Sequence, residues 1–282
     1  MIITGSICSG VHARTSPGSD LQEACPSPVV KKRGLPRDGR PRPKTLLRVG
    51  SLNIGTLTGK TREIADLMKR KRIDVLCLKE TRRKVFKARE IGEGIKFFYY
   101  GMETRKNGVA IAVAGTLKEH VFTVNRVSDR LISVRITTGE GFWNVTSVYA
   151  PQCGCAEAEK MAFYDELDEV IRGAPESDYL KIGGDFNGHV GQDRKGFERV
   201  HGGRGFGIRN QDGERIVDMA EAHDLAITST FLMKRDSQKV TIAVAVRKAR
   251  LATFWSEEML SKRLRMSNLS REKKLQGNID QS

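Results

Sequence analysis

The segment DYLKIGGDFNGHVG, residues 178–191, reads as a buried strand that runs into a glycine-rich turn. Alternate residues of an extended chain point the same way, so Asp185 and Asn187 face one side just past that strand. A carboxylate can accept a proton from water or help to hold a divalent cation, and a neutral amide can hold water or phosphate. The pair therefore suits phosphoester chemistry. Taken alone, the same residues also form an ordinary Asx turn, and this alternative stays open.

Polar side chains close three other hydrophobic strand patterns as well. Asn53 follows LRVGSL, Glu80 follows IDVLCL, and Tyr149 closes FWNVTSVY. Each of these residues could by itself be a capping or rim residue. Their occurrence at four strand ends in this order instead predicts one constellation of functional side chains.

Strand and helix patterns alternate from residue 48 onward. LRVGSLNI and IDVLCL read as strands on either side of a helix over residues 60–71. NGVAIAVAG, LISVRIT and FWNVTSVYAP follow without an intervening helix, which indicates antiparallel strands. The chain is therefore predicted to build a mixed sheet system.

Two more helices are predicted in the second half of the chain. AEAEKMAFYDELDEVI places four apolar residues on one helical face, namely Met161, Tyr164, Leu167 and Val170. GERIVDMAEAHDL is a last amphipathic helix before the strand LAITSTF. Helices and strands together predict a mixed α and β fold.

Composition divides the chain into three parts. Residues 1–47 contain six of the eight prolines among Ser, Gly and basic residues, which is typical of a disordered arm. Residues 48–242 form the predicted domain. Residues 243–282 lack the turn signals that separate strands in the domain, and they are predicted to be a basic tail, helical or disordered.

The chain has a formal net charge of +15, which favours polyanionic partners and nucleic acid first among them. The basic excess is shared equally by arm, domain and tail, so the two tails are more charge-dense than the domain. The net charge is therefore weak evidence for a basic groove in the domain itself.

The five cysteines are scattered without C-x-x-C spacing, which argues against a disulfide scaffold or a zinc site and favours a reducing compartment. Cys153 and Cys155 flank a glycine and are expected to be unpaired loop cysteines. The first residues lack the basic start and apolar run of a secretory signal, and no stretch approaches 18 apolar residues. We therefore expect an intracellular protein, nuclear or cytoplasmic, without a membrane span.

A series of motifs resembles the endonuclease/exonuclease/phosphatase superfamily over about residues 48–240. The resemblance is to the branch of non-LTR retrotransposon endonuclease domains and craniofacial development protein 2-like proteins. The segments that carry it are SLNIGTLTGK, CLKETRRK, NGVAIAV, VNRVSDRLISVRI, VYAPQ and IGGDFNGHVG. It implies an α+β, DNase I-like four-layer sandwich of two packed mixed sheets flanked by helices, and Mg²⁺-dependent cleavage of phosphodiesters.

The resemblance also implies roles for the residues at the strand ends. Glu80 corresponds in position to the family's metal ligand, and Asn53 to a residue that supports the metal and phosphate site. Tyr149 corresponds to a residue that contacts the phosphate or the transition state. Asp185 and Asn187 are similar to the pair that activates and orients the nucleophilic water. Mg²⁺, with Mn²⁺ as an alternative, suits oxygen ligands of this kind, and no organic cofactor is expected.

The sequence departs from the family in two respects. Relatives carry Gln before the glutamate, whereas this chain has Lys79, which we expect to point away from Glu80. Relatives also end in strands with an Asp-Tyr-Ile-like segment and an Asp-His pair, and neither is visible here. None of the histidines follows LAITSTF, and His189 and His223 are expected to be exposed or structural, so activity is expected to be weak or absent.

The glycine-rich segment HGGRGFGIRN, residues 201–210, does not lie at the strand-to-helix junction that a phosphate-binding loop requires. It is interpreted as a mobile loop in which Arg204 and Arg209 are candidate DNA contacts.

Two classes of function remain open from the sequence. The first is a Mg²⁺-dependent endonuclease domain of retrotransposon ancestry that acts on DNA. The second is a non-catalytic module that binds nucleic acid or protein on the same scaffold. A phosphatase acting on small ligands is disfavoured by the retrotransposon-like motifs.

Overall fold

The computed structural model describes residues 2–5, 47–84, 88–92, 94–102 and 106–231, the first of these ranges by its backbone alone. Most of the expected N-terminal arm, residues 6–46, and the expected basic tail, residues 243–282, lie outside the described residues. The described part is built from two β-sheets and three α-helices.

The first sheet has five strands in the order β2-β3-β6-β5-β4. Their bounds are β2 Val49–Asn53, β3 Val75–Lys79, β4 Ala88–Ile91, β5 Ile95–Tyr100 and β6 Val109–Val113. β2 and β3 run parallel, as the helix between them requires, and the remaining pairs are antiparallel.

The second sheet has six strands in the order β11-β1-β10-β9-β8-β7. Their bounds are β1 Ile2–Gly5, β7 Val121–Ser128, β8 Leu131–Thr138, β9 Gly141–Tyr149, β10 Tyr179–Asp185 and β11 Leu225–Ile227. β9 and β10 are parallel, and β7, β8 and β9 form an antiparallel meander. Both sheets are therefore mixed or mostly antiparallel, as the sequence predicts.

The strand β1 corrects the prediction that all of residues 1–47 form a disordered arm. Ile2–Gly5 lies between β10 and β11 and is antiparallel to both. The run Ile-Ile-Thr is rich in β-branched residues, which favour extended structure. Local composition could not show this strand because its partners lie about 180 and 220 residues away along the chain.

The two sheets pack face to face through an apolar layer. In β3, Val75 and Cys77 point into this layer, while Leu76 and Leu78 point to the opposite face. From the other sheet, residues such as Ile132, Val134 and Ile136 of β8 contribute to the same layer. This alternation fixes which side chains at the strand ends can meet between the sheets.

Helices cover the outer face of each sheet. α1, Thr61–Lys71, buries Ile64, Leu67 and Met68 against the five-stranded sheet, which matches the predicted helix and its apolar spacing. α2, Glu157–Arg172, and α3, Gln211–Ala222, cover the six-stranded sheet. The four layers are thus helix, sheet, sheet and helices, which is the predicted α+β sandwich.

The buried face of α2 matches the predicted one only in part, since Leu167 is buried and Tyr164 packs against the core. Lys160, Phe163, Leu167 and Ile171 are the buried positions, whereas Met161 is 58% exposed. The buried Lys160 ammonium reaches both carboxylate oxygens of Asp212 in α3, at 2.9 and 3.0 Å. A charge pair between the two helices therefore occupies a place where periodicity alone predicts an apolar contact.

Candidate active site

The carboxyl ends of the parallel strands β2 and β3 bring together the first two predicted residues. Asn53 lies beside Lys79 in the register of this pair, so the next residue, Glu80, is within reach of the Asn53 amide. Asn53 Nδ2 donates to Glu80 Oε1 at 2.5 Å, and Asn53 Oδ1 accepts from the Gly55 amide at 3.0 Å. Asn53 therefore fixes the orientation of the glutamate.

The parallel strands β9 and β10 do the same for the second half of the site. Tyr149 and Asp185 lie side by side as the last residues of these strands. Asn187, with φ at +49°, turns back so that its backbone N–H donates to Asp185 Oδ1 at 3.0 Å. The Asn187 side-chain amide donates to the Ala150 carbonyl at 2.6 Å, which holds the turn in place.

The two halves meet across the gap between the sheets. The Tyr149 phenol, from the six-stranded sheet, donates to Glu80 Oε1 at 3.2 Å, and Gln152 Nε2 donates to the phenol at 3.4 Å. Burial, followed by the negative charge of Glu80, raises the pKa of Tyr149 to about 12. The phenol therefore stays neutral at physiological pH and acts as a hydrogen-bond donor.

The backbone at Glu80 adopts the left-handed region, with φ at +54°. A residue with a Cβ rarely adopts this conformation, and it persists where surrounding contacts hold it. Arg82 Nη2 lies 3.1 Å from Glu80 Oε2, and 18% of the Glu80 side chain is exposed. The turn after β3 thus directs the carboxylate toward a groove rather than into bulk solvent.

Lys79 points away from Glu80, as strand alternation predicts, yet its ammonium reaches the other half of the site. Its side chain is fully buried, and Nζ lies 3.5 Å from Asp185 Oδ2. Strand alternation does place Lys79 on the opposite side of β3 from its neighbour, but that side is the layer between the sheets. Since Asp185 ends a strand of the facing sheet, a lysine that points away from Glu80 points toward the second half of the site.

Opposing effects act on the Asp185 carboxyl. Burial favours its neutral form, whereas the Lys79 ammonium and the N–H of Asn187 favour the carboxylate. The charge and the hydrogen bond prevail, and the pKa of Asp185 is lowered from its ordinary value. About a third of the side chain, 35%, is exposed, so water can reach this carboxylate.

A groove of about 310 Å³ opens beside Glu80 and Tyr149. Its basic side chains are Arg82, Lys106 and Arg130. Arg130 Nη1 donates to the Tyr149 carbonyl at 3.1 Å, so the guanidinium is fixed next to the phenol. Arg82 and Arg130 pair with Glu80 and Glu159 of the same lining, so the groove keeps a small basic excess, which can attract a phosphodiester backbone.

The sequence patterns did not predict the basic rim of this groove. Arg130 lies in the turn of VNRVSDRLISVRI, a segment that carries the family resemblance, and its place in that motif was the available signal. Arg82 likewise lies in CLKETRRK, a segment of the resemblance, whereas Lys106 lies in a segment without a clear strand or helix pattern, and only the three-dimensional arrangement brings Lys106 to the groove.

The donor set of the site fits a hard divalent cation. Glu80 and Asp185 offer carboxylate oxygens, and Asn53 offers an amide oxygen. Within the described ranges, no three His, Cys, Asp or Glu side chains cluster as a metal site. Two carboxylates with a few neutral oxygens suit Mg²⁺, which usually keeps several waters and takes one or two protein carboxylates.

The described histidines make contacts elsewhere in the fold or face solvent. His223 Nε2 lies 2.6 Å from Asp168 Oδ1 of α2, and His189 is exposed, as the sequence predicts for both. His201 is buried, and burial lowers its pKa to about 4. His120 is exposed and ends the short 3₁₀ helix Lys118–His120 directly before β7.

The loop over residues 201–210 is anchored at several points. His201 forms a β-bridge with Ile227, and the Arg204 N–H donates to the Thr230 carbonyl at 2.9 Å. Arg209 donates to the carbonyls of Val190 and Asp193, at 3.2 and 2.6 Å, and its side chain is 13% exposed. The Arg204 residue is exposed, so the two candidate DNA contacts have different environments.

The described cysteines are free, as expected from their spacing. Cys77 is buried between the sheets, and Cys153 and Cys155 lie in the loop before α2 without a disulfide. In the described part of the chain, no helix combines the length and the apolar character that a membrane span needs.

Comparison with known proteins gives relatives at the level of sequence. No family model matches the chain. Craniofacial development protein 2 of Bos taurus is 30% identical over 189 residues, which cover 66% of this chain and 31% of that protein. Craniofacial development protein 2 of Tragulus javanicus is 29% identical over 189 residues, which cover 66% of this chain and 32% of that protein. The chain therefore spans about a third of the length of these relatives.

Solved structures with a similar fold have lower sequence identity to this chain. The endonuclease domain of TRAS1, a telomere-specific non-LTR retrotransposon, has a TM-score of 0.48 and 14% identity, covering 72% of this chain and 86% of that one. The 3′ phosphatase NExo from Neisseria has a TM-score of 0.45 and 16% identity, covering 72% and 87%. An AP endonuclease from Archaeoglobus fulgidus has a TM-score of 0.44 and 18% identity, covering 63% of this chain and 70% of that one.

The sequence match and the four-layer architecture agree with the series of motifs at the strand ends. Over 189 residues the chain is thus similar in sequence to craniofacial development protein 2, and its described fold agrees with the resemblance that the motifs carry.

Proposed function

We propose that the chain is a Mg²⁺-dependent phosphodiesterase domain of the retrotransposon endonuclease type, which binds DNA and nicks it slowly. The observation that carries this proposal is the meeting of Glu80, Tyr149 and Asp185 at the ends of strands from two different sheets. These residues lie 69 and 36 positions apart along the chain, and Tyr149 both contacts Glu80 and lies beside Asp185 in the strand register.

The residues that would hold the metal are Glu80 and Asn53. Their oxygens are of the hard type that Mg²⁺ or Mn²⁺ prefers, and Asn53 already fixes the glutamate by a hydrogen bond. The bound cation would supply charge neutralisation on the phosphate oxygens.

The residues of the six-stranded sheet would act on water and phosphate. Asp185 has an exposed carboxylate edge and accepts the proton of the attacking water, while Asn187 holds the carboxylate through its backbone N–H. The Tyr149 phenol, a donor that points between the two halves, would stabilise charge on a phosphate oxygen.

DNA is the proposed substrate because the groove carries three basic side chains against two carboxylates, and Lys106 adds the excess positive charge. The NExo structure is described as bound to a product DNA hairpin, which is a property of that protein. We propose Arg204, which is exposed, as a further DNA contact on the loop. Arg209 supports the same loop through its bonds to two carbonyls, so its contribution to DNA binding would be indirect.

The free cysteines support a location in a reducing compartment. We propose that the protein acts in the nucleus or the cytoplasm. No organic cofactor is needed for the chemistry proposed here, since water, a divalent cation and side chains supply all of it.

A non-catalytic binding module is the second candidate. The contact of Lys79 with Asp185 favours it, because a carboxylate that is paired with an ammonium is a weaker acceptor for a water proton. The family's terminal histidine also has no counterpart among the histidines of this sequence, all of which precede residue 224. Both observations predict slow chemistry or none.

One experiment separates the two candidates. Purified protein is incubated with supercoiled plasmid in Mg²⁺ and in EDTA, beside the Asp185→Asn variant and the control Asp218→Asn, which changes an exposed residue of α3. If the chain is a nuclease, Mg²⁺-dependent nicking should fall by about 10²-fold or more in Asp185→Asn and stay unchanged in Asp218→Asn. Salt-sensitive plasmid binding without nicking supports the binding module instead.

A further inference from the structure

Lys79 is an unusual feature of the site. It is the last residue of β3, its side chain is fully buried between the sheets, and its ammonium lies 3.5 Å from Asp185 Oδ2. A buried lysine is rarely found without a charged partner, and the structure supplies Asp185 as such a partner.

The position of Lys79 is set by strands from both halves of the site. It lies beside Asn53 in the parallel pair with β2 and beside Val109 in the antiparallel pair with β6. The Ser147 hydroxyl of β9 donates to the Leu78 carbonyl at 3.3 Å, so β9 closes directly over the end of β3. The ammonium is therefore held at the point where the two sheets present Glu80 and Asp185.

A cation in this place changes what the site can bind. A divalent ion that used Asp185 as a ligand would stand next to a fixed positive charge, and like charges at short range repel strongly in a partly buried site. Glu80 also has a cation beside it, but the Arg82 side chain is 46% exposed, so solvent screens its charge far more than the charge of the buried Lys79. The other close partners of Glu80 are the neutral donors Asn53 and Tyr149.

We propose that Lys79 is a built-in cation that occupies the metal position on Asp185, so that the site binds one divalent ion, at Glu80 and Asn53, and binds it weakly. Lys79 is thus a residue that determines metal occupancy and also positions the Asp185 carboxylate. The inference rests on the proposed metal-dependent function, and it names a property that is specific to this chain at position 79.

The test is a titration with Mn²⁺, followed by the electron paramagnetic resonance signal of the free ion, which reports binding without any nuclease assay. The variant Lys79→Met keeps an unbranched side chain that is one atom shorter and removes its charge. It is expected to bind Mn²⁺ about ten-fold or more tightly than the wild type and to take up a second ion. Adding Asp185→Asn to Lys79→Met should remove the second ion.

A matched control is available in the same layer. Lys181 of β10 is also buried between the sheets, but its ammonium donates to the Leu47 carbonyl at 2.9 Å and lies over the Trp143 ring. Lys181→Met should leave Mn²⁺ affinity and stoichiometry unchanged. Lys79→Gln is the second variant in case the Met variant does not fold, and the same results are expected from it.

The outcomes separate the inference from the proposed function. Equal Mn²⁺ affinity and one bound ion in both the wild type and the charge-removed variants would overturn the inference and leave metal dependence intact. The absence of Mn²⁺ binding from the wild type and the variants alike would overturn the inference together with the proposed metal-dependent function.

Discussion

The phenol of Tyr149 donates a hydrogen bond to Glu80 Oε1 at 3.2 Å, and this bond joins the two sheets at the candidate active site. Tyr149 ends β9, beside Asp185 at the end of β10, whereas Glu80 follows β3 of the facing sheet. The bond therefore links the water-activating half of the proposed site to the metal-binding half.

Tyr149→Phe removes this bond and keeps the ring. We expect Mg²⁺-dependent nicking to fall about ten-fold or more, because a donor near the phosphate is lost, while the free energy of unfolding changes by about 1 kcal/mol. Plasmid nicking rates and urea unfolding measure both effects. Tyr179→Phe is the control, since Tyr179 stacks on Trp143 away from the site. A nicking rate in Tyr149→Phe equal to that of the wild type would contradict the assigned role.

The Lys181 ammonium gives the stability a defined pH dependence. Burial lowers the pKa of Lys181 to about 7, and the charge of Asp74 opposes this effect only in part. Between pH 7 and about 10.5 the unfolded chain keeps a proton that the folded protein releases, so stability rises with pH across this window. Below pH 7 the side chain is protonated in both states, and the full cost of burying its charge is present.

The variant Lys181→Met isolates this contribution. The wild type should gain stability relative to the variant by up to about 1.4 kcal/mol for each pH unit above 7. Urea unfolding of both proteins at pH 7, 8 and 9 measures the difference, and other titrating groups cancel in the subtraction. A difference that stays constant over this range would show that Lys181 does not titrate as described.

Gly184 permits the close approach of β10 to β9 immediately before Asp185. A Cβ at this position would lie 1.8 Å from the Val148 carbonyl oxygen, so Gly184→Ala must push the two strands apart. We expect a loss of about 2–4 kcal/mol in the free energy of unfolding, and a loss of nicking because Asp185 moves with its strand. Gly139→Ala, at a turn where a Cβ meets no atom within 4 Å, is the control. Equal stability of the two variants would show that β9 and β10 are less closely packed than described.

The buried ion pair between α2 and α3 is predicted to matter for stability. Asp212→Ala leaves the Lys160 ammonium buried without its carboxylate, and such a loss costs about 3–5 kcal/mol. Glu90→Ala breaks the solvent-exposed pair with Lys118 and should cost less than about 1 kcal/mol. Urea unfolding of the two variants gives the comparison, and similar losses in both would be inconsistent with the burial of the first pair.

The strand ends of the site follow from sequence patterns. Asn53, Glu80, Tyr149 and Asp185 each end a hydrophobic run, and parallel pairing brings such ends together at one edge. Lys79 could not be placed in the same way. Alternation gives the face of β3 on which it lies, but only the packing of β3 against β9 and β10 shows that this face leads to Asp185.

Long-range pairing also limits what the sequence reveals about the fold. β1 is a strand because β10 and β11 leave a place for it, and its short sequence carries no sign of those partners. The strands β4 and β5 were not predicted either. β5 is apolar on consecutive positions, IKFFYY, and a run without alternation does not distinguish a strand from a helix.

The central claim is that Glu80 and Asp185, from two different sheets, act in one site. A double-mutant cycle on plasmid nicking in Mg²⁺, with Glu80→Gln, Asp185→Asn and the double variant, tests it most directly. If the two residues act in one reaction centre, the double variant should be about as slow as the slower single variant. A double variant slowed by the product of the two single effects would mean that the two carboxylates act independently, and it would contradict the shared site.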